Sequence, residues 1–248
     1  MRGISHIAMA CVGLAAVALV SSGCQSTQAT SAQREAEGKS LLGKEKGVVV
    51  DKANPDIEVL DTTLLSDENG TAVVVELKNT SEETFANLPI LLDVRDAKGK
   101  SVFKNDIAGL EPALTQVPLI GPGETFDWIN NQILATGEPD SVKVKVGTSD
   151  EPVAGAIPEI DVSEPKFESD QVSGLEAVGM AENKSDIEQE DLTFYAVSRK
   201  GGKVVAAGRG VLKRLQPNGE KAGTYHIFFI GNPKGADVTV TAPPTVLR

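Results

Sequence analysis

The side chains that could carry out chemistry are few in this 248-residue sequence, and the thiol of Cys24 is the most distinctive of them. Residues 7–20 before it are nearly all apolar, residues 21–23 are small, and Arg2 is the only formal charge ahead of them. A short positive region, an apolar core and a small-residue cleavage site are typical of a signal peptide. The apolar run is too short for a transmembrane helix, which needs about 20 residues. We therefore expect residues 1–23 to be removed.

The stretch "LVSSGCQST" (19–27) resembles the lipobox of bacterial lipoproteins. The resemblance implies cleavage between Gly23 and Cys24, with membrane lipid attached to the Cys24 thiol. An ordinary secreted protein with an accidental cysteine is the alternative. The other cysteine, Cys11, lies in the segment to be removed, so the mature chain has no disulfide and no thiolate cluster. We expect an extracytoplasmic protein of the cell envelope, lipid-anchored to the plasma membrane or the outer membrane.

Motifs for catalysis and metal binding are absent from the rest of the sequence. His226 is the only histidine after the signal, and in "TYHIFFI" we expect it to pack on a strand face rather than act as a base. No GxSxG or HExxH motif occurs. Carboxylates at 67–68 and near the join at 150–161 leave calcium open, although none has EF-hand spacing. We expect no cofactor and no enzymatic activity.

The charge distribution excludes one class of partner and contains one basic cluster. A net charge of −11 argues against nucleic-acid binding, which needs a basic face. In "GRGVLKRLQ" (208–216), alternation places Arg209 and Lys213 on one strand face and Arg214 on the other. If only one face packs into a core, basic side chains remain exposed, and they are a possible contact surface for an anionic partner. A solvated face without a partner is the alternative.

Alternating apolar and polar residues predict the elements that position these side chains. The segments "TAVVVELKN" (71–79), "SVKVKVG" (141–147) and "DVTVTA" (237–242) have the period of two of half-buried strands. Turn sequences separate the runs, for example "DAKGK" (96–100) and "QPNGE" (216–220). This spacing predicts an all-β chain of antiparallel sandwiches. The polar residues after Cys24, up to residue 46, predict a flexible tether, with a short helix near 32–42 as the alternative.

Matching segments indicate that the fold is repeated. "VVVELKNTS" (73–81) matches "EAVGMAENKS" (176–185), which pairs Asn79 with Asn183, 104 residues apart. We therefore predict two tandem immunoglobulin-like β-sandwiches, residues 47–150 and 156–248, joined by a polar segment containing proline and glycine.

Each half also resembles the FxLYD-type bacterial domains, in the order of an Asn-Ser/Thr turn, an alternating strand, a Gly-Lys turn and a Pro-Gly-Glu segment before an aromatic strand. The name motif falls on residues 92–96 and 195–199. The resemblance implies an immunoglobulin-like sandwich in an envelope protein and carries no general activity.

Three functions are compatible with this sequence. The first is a non-catalytic envelope lipoprotein that presents a surface to another envelope protein or polymer. The second is a ligand- or ion-binding accessory subunit of an envelope complex, and the third is a hydrolase with a carboxylate site. An exposed apolar patch would favour the first, a pocket with convergent polar groups the second, and a pair of buried carboxyl groups the third.

Overall fold

The computed structural model describes residues 47–149, 153, 156–170 and 174–247 of the chain. The predicted signal peptide, Cys24, the predicted tether and most of the predicted join lie outside the described residues. The described part is all-β, apart from a single turn of 3-10 helix at Pro112–Leu114. Within it, no helix has the length and apolarity needed to cross a membrane. The predicted all-β, sandwich-like architecture is confirmed.

The strands fall into a first half, residues 47–149, and a second half, residues 156–247. Those of the first half are β1 (Ile57–Asp67), β2 (Gly70–Asn79), β3 (Phe85–Arg95), β4 (Ser101–Lys104), β5 (Gln116–Ile120), β6 (Thr125–Asn130) and β7 (Ser141–Val146). Those of the second half are β8 (Ile160–Val162), β9 (Lys166–Asp170), β10 (Gly174–Asn183), β11 (Gln189–Lys200), β12 (Lys203–Leu215), β13 (Gly223–Phe228), β14 (Ile230–Gly231) and β15 (Asp237–Thr241).

These strands form four antiparallel sheets, two in each half. In the first half, β3 pairs with β4, β5 and β7 to form sheet A, and β1, β2 and β6 form sheet B. In the second half, β14, β12, β11 and β15 form sheet C, and β10 pairs with β8, β9 and β13 to form sheet D. Sheets A and C therefore have corresponding central strands, β3 and β11, which begin 104 residues apart.

The strands lie where the alternation of apolar and polar residues in the sequence predicts them. Along β7, Val146 is buried and Val142 and Val144 pack against the core, while Lys143 points away from it. Buried and half-buried residues alternate along the whole of β3. This period of two is expected of a sheet with one face on a core and the other toward water.

Two cores hold the sheets together. The first lies between sheets A and B, where Leu77, Ile90 and Trp128 are fully buried, and it extends to Tyr195 and Val197 of sheet C. The second lies between sheets C and D and contains Phe194, Tyr225 and Ile227, with the rings of Phe194 and Tyr225 stacked at 4.7 Å between centroids. Sheet C therefore contributes side chains to both cores.

Sheet C is covered by other sheets on both faces, so its central strands do not alternate between buried and exposed side chains. All seven residues from 192 to 198 of β11 are buried, and on β12 even-numbered Ala206 and odd-numbered Ala207 belong to different cores. On the side of sheet D, a Cβ at Gly210 would lie 2.2 Å from the carbonyl oxygen of His226. Glycine at this position lets the backbones of β12 and β13 approach closely.

Polar contacts also join the two halves. The Arg199 guanidinium donates to both carboxylate oxygens of Asp127, at 2.8 and 2.7 Å, and to Glu76 at 3.3 Å. The Gly231 amide donates to the Asp67 carboxylate at 2.7 Å. Sheets B and C thus meet in an interface with apolar and ionic parts, and the described halves lie in one compact unit. The domain boundary near residue 150 stays a prediction.

Asn79 and Asn183 form two turns of the same construction. Asn79 accepts from the Ser81 amide at 3.0 Å and donates to the Glu83 carbonyl at 2.6 Å. Asn183 accepts from the Ser185 amide at 3.0 Å and donates to the Ile187 carbonyl at 2.7 Å. Both asparagines are fully buried. The matching sequence segments therefore have matching local structures.

Candidate functional site

A cleft of about 380 Å³ lies where the two halves meet. The first half contributes β3, the 3-10 turn and β5 to its wall, and the second half contributes β11, β12 and Thr245 near the end of the chain. Pro112, Pro118 and Val211 make much of the wall apolar. A concave, largely apolar cleft with a few polar groups is the usual form of a small-molecule site.

Two of the residues that line this cleft have left-handed backbones. Asn87 of β3 has φ 52° and Asp191 of β11 has φ 47°. They are 104 residues apart, as are Asn79 and Asn183. Asparagine and aspartate tolerate this conformation better than most residues, and such conformations cluster at functional sites. The two halves therefore bring corresponding local distortions to one cleft.

Tyr195 and Arg209 form a buried polar pair beside the cleft. They lie opposite each other on β11 and β12, and Tyr195 lines the cleft. Tyr195 is 1% exposed and Arg209 is 8% exposed. Among the described residues, neither the Tyr195 hydroxyl nor Nη1 of Arg209 has a hydrogen-bond partner of good geometry, although the two side chains lie close enough to interact with each other. The Nε of Arg209 donates to the Asn131 side-chain oxygen at 3.1 Å.

Burial dominates the electrostatics of this pair. It raises the pKa of the Tyr195 phenol, against the opposing influence of the Arg209 charge. It also lowers the pKa of the Arg209 guanidinium, although the neighbouring Tyr195 and the Glu111 carboxylate favour the protonated form. Buried charges are normally paired with an opposite charge. In the described part of the chain, Arg209 forms no ion pair within 4.0 Å.

The rim of the cleft is mainly acidic. Glu111, Glu190 and Asp191 line it together with Lys213, which pairs with Asp191 at 2.6 Å. Lys213 is 85% exposed, so this ion pair is well solvated and contributes little to stability. The cleft therefore combines an apolar wall with a mainly acidic rim, and the buried Arg209 lies beside it.

The predicted basic cluster does not form one exposed surface. Arg209 is buried because sheet B covers its face of sheet C, so the expectation that it is solvent-exposed is wrong. Lys213 and Arg214 are exposed, and Arg214 pairs with Glu188 at 3.2 Å. Partner contact through these two residues stays a prediction. The lipidation of Cys24 also stays a prediction, because Cys24 lies outside the described residues.

The other candidate chemical groups are dispersed. The His226 side chain is 54% exposed and contacts Glu176 at 3.2 Å on the outer face of sheet D, which it shares with Phe228 as the alternation predicts. Asp67 receives hydrogen bonds from the Asn69 and Gly231 amides. Among the described residues there is no group of three or more His, Cys, Asp or Glu side chains placed to hold a metal ion.

Sequence reasoning did not identify Tyr195, Asn87 or Asp191 as site residues. The uninterrupted run "LTFYAVS" (192–198) was the available signal for Tyr195, because a strand buried on both faces has a continuous rather than alternating pattern. No protein-family model matches the chain, and no curated protein matches it significantly.

Proposed function

We propose that this chain is a non-catalytic, lipid-anchored envelope protein whose β-rich unit is a protein-interaction module. The anchor is Cys24, and its support is the lipobox-like sequence around it. The partner is an envelope protein or polymer. The tandem FxLYD-type organisation belongs to the same proposal, supported by the matching turns at Asn79 and Asn183.

The outer face of sheet D is the observation that carries the interaction proposal. Met180 of β10 and Phe228 of β13 lie on this face and are 46% and 45% exposed. They flank the paired residues Val178 and His226, whereas the neighbouring Ala177, Ala181 and Ile227 point into the core. Exposed apolar side chains on the same face of a sheet can form part of a docking surface.

The anchor is tested by Cys24→Ala. We expect the wild-type protein to enter the detergent phase in phase partitioning and the variant to stay in the aqueous phase or remain unprocessed. The reason is that each buried methylene of an acyl chain contributes about 0.8 kcal/mol to membrane attachment. Cys11→Ala is the matched control and should partition as the wild type does. Equal partitioning of wild type and Cys24→Ala, with no lipid mass on the wild type, would show that the anchor is misassigned.

The docking surface is tested by the double substitution Met180→Gln and Phe228→Thr. These two side chains should together contribute about 2 kcal/mol to association, since full burial of one is worth about 1.5–3 kcal/mol and each is already half covered. We expect at least about a tenfold loss of crosslinked product in the native cell, measured by quantitative mass spectrometry. Leu134→Gln is the control, because Leu134 is 85% exposed but does not belong to sheet D. An unchanged set of crosslinks in the double variant would contradict the proposal.

Ligand binding by an accessory subunit is a second candidate function. The cleft between the halves favours it, because Tyr195 lines the cleft and its buried hydroxyl has no hydrogen-bond partner of good geometry among the described residues. This function requires no catalytic group.

A further inference from the structure

We propose that the cleft binds a small organic monocarboxylate with an apolar body, whose carboxylate accepts hydrogen bonds from Arg209 and Tyr195. The inference rests on ligand binding, the second candidate function, and adds the chemical class of the ligand. Its starting observation is a buried cation that lies beside an open cleft and forms no ion pair within 4.0 Å among the described residues.

The charge of Arg209 supplies the first argument. Removing a guanidinium from water is costly unless an opposite charge or several hydrogen bonds compensate it. Within the described residues, Arg209 forms one well-aligned side-chain hydrogen bond, from Nε to the neutral Asn131 amide, and its other close polar neighbour is the Tyr195 hydroxyl, which is uncharged. The nearby Glu111 influences Arg209 through charge alone. An anion bound beside Arg209 would supply the missing compensation.

The Tyr195 hydroxyl supplies the second argument. Nearly all buried polar atoms in proteins have a hydrogen-bond partner, so one without a partner needs an explanation. Tyr195 and Arg209 are register partners on neighbouring strands, which places the hydroxyl and the guanidinium side by side on the same face of sheet C. A carboxylate has two oxygens and can accept from both donors, and hydrogen bonds to a charged group are the strong ones. Both atoms are closed to solvent in the unliganded chain. Ligand entry therefore involves side-chain rotation, a common change on binding.

The wall and rim define the rest of the ligand. Pro112, Pro118 and Val211 offer apolar contact, and the volume of about 380 Å³ suits a small molecule. The rim carboxylates of Glu111 and Glu190 repel multiply charged anions such as phosphate. A single carboxylate on an apolar body satisfies the buried cation with the least repulsion at the rim.

The ligand class is tested by calorimetric titration of the full-length chain, purified in detergent. The probes are 3-phenylpropionate, the uncharged 3-phenylpropionamide and inorganic phosphate. We expect 3-phenylpropionate to bind at least about tenfold more tightly than the amide, because the amide carries no charge for Arg209. Phosphate should not bind measurably. Equal binding of carboxylate and amide overturns the inference while leaving ligand binding intact, whereas no binding of any probe overturns both.

The residues are tested by Tyr195→Phe with Tyr225→Phe as its matched control. Tyr195→Phe should weaken 3-phenylpropionate binding about fivefold and lower the melting temperature by less than about 1 °C, because its hydroxyl forms no well-aligned hydrogen bond in the described chain. Tyr225 is equally buried, but its hydroxyl donates to the Ser163 carbonyl at 2.8 Å. Tyr225→Phe should therefore lower the melting temperature by about 3 °C and leave binding unchanged.

Arg209→Gln should weaken binding more strongly, by about twentyfold. If this variant does not fold, the comparison of Tyr195→Phe with Tyr225→Phe still decides the question. Wild-type affinity of Tyr195→Phe for 3-phenylpropionate would overturn the assignment of the hydroxyl.

Discussion

Asn79→Ala should lower the free energy of unfolding by about 3 kcal/mol, and Asn183→Ala should do so by a similar amount. Each asparagine is fully buried, closes a turn through its own side chain and bonds backbone groups of neighbouring segments. Removing it leaves several buried backbone groups without partners, each worth about 1–3 kcal/mol. Chemical denaturation followed by circular dichroism measures the effect.

Asn69→Ala is the control for this pair. Asn69 lies in an exposed turn, where its side chain is at most a weak donor to Asp67 at 3.5 Å. We expect a change within about 0.5 kcal/mol, as for most surface substitutions. A loss below about 1 kcal/mol in both Asn79→Ala and Asn183→Ala would show that the two turns do not hold the fold.

The same two variants report on the organisation of the chain. If the shared interface makes the halves unfold together, both substitutions shift one common transition to lower denaturant concentration. If the halves are independent sandwiches, as the tandem prediction states, Asn79→Ala shifts one transition and Asn183→Ala shifts another.

Arg199→Gln should lower the free energy of unfolding by about 2 kcal/mol. The substitution removes two hydrogen bonds to Asp127 and one to Glu76, and it leaves two neighbouring carboxylates facing each other in a partly buried interface. Hydrogen bonds to charged groups contribute about 1.5–3 kcal/mol where they are shielded from water, and less where they are exposed. The side chain of Asp127 is only 19% exposed. The loss should be larger at low salt, because ions screen the remaining repulsion.

Arg214→Gln is the control for Arg199→Gln. The Arg214 side chain is 61% exposed and pairs with Glu188 within the second half, so its removal should cost less than about 0.5 kcal/mol. Asp127→Asn in the Arg199→Gln background should recover part of the lost stability by relieving the repulsion with Glu76. If Arg199→Gln costs no more than Arg214→Gln, the ionic contacts between the halves do not contribute to stability.

The strands were largely predictable from the sequence because the signal is local. Along β7, the polarity of each side chain indicates whether it faces the core or the solvent. In the turn "DAKGK", Gly99 has φ 78°, a conformation that favours glycine. The paired turns at Asn79 and Asn183 were also visible as matching segments. All of these features depend on residues within about one strand and its turn.

The interface and the cleft were not predictable in this way. Arg199 and Asp127 are 72 residues apart, and nothing near either one indicates the other. The rule that one face of a sandwich strand meets water led to an exposed Arg209, but a second sheet covers that face. A buried hydroxyl without a well-aligned hydrogen bond, such as that of Tyr195, can be recognised only when all the surrounding residues are placed. The sequence alone therefore does not reveal it.

The double coverage of sheet C has a consequence for how the two halves could have diverged. β3 and β11 occupy corresponding places, but β3 alternates between buried and half-buried residues while β11 is buried from 192 to 198. Two identical copies could not fill both places. A copy with the polar outer face of sheet A would bury unpaired polar groups against sheet B, and a copy with the face of sheet C would expose tyrosine and valine to water. If both halves descend from one duplicated gene, their sequences had to diverge, because the interface between sheets B and C requires different residues on the two corresponding sheets.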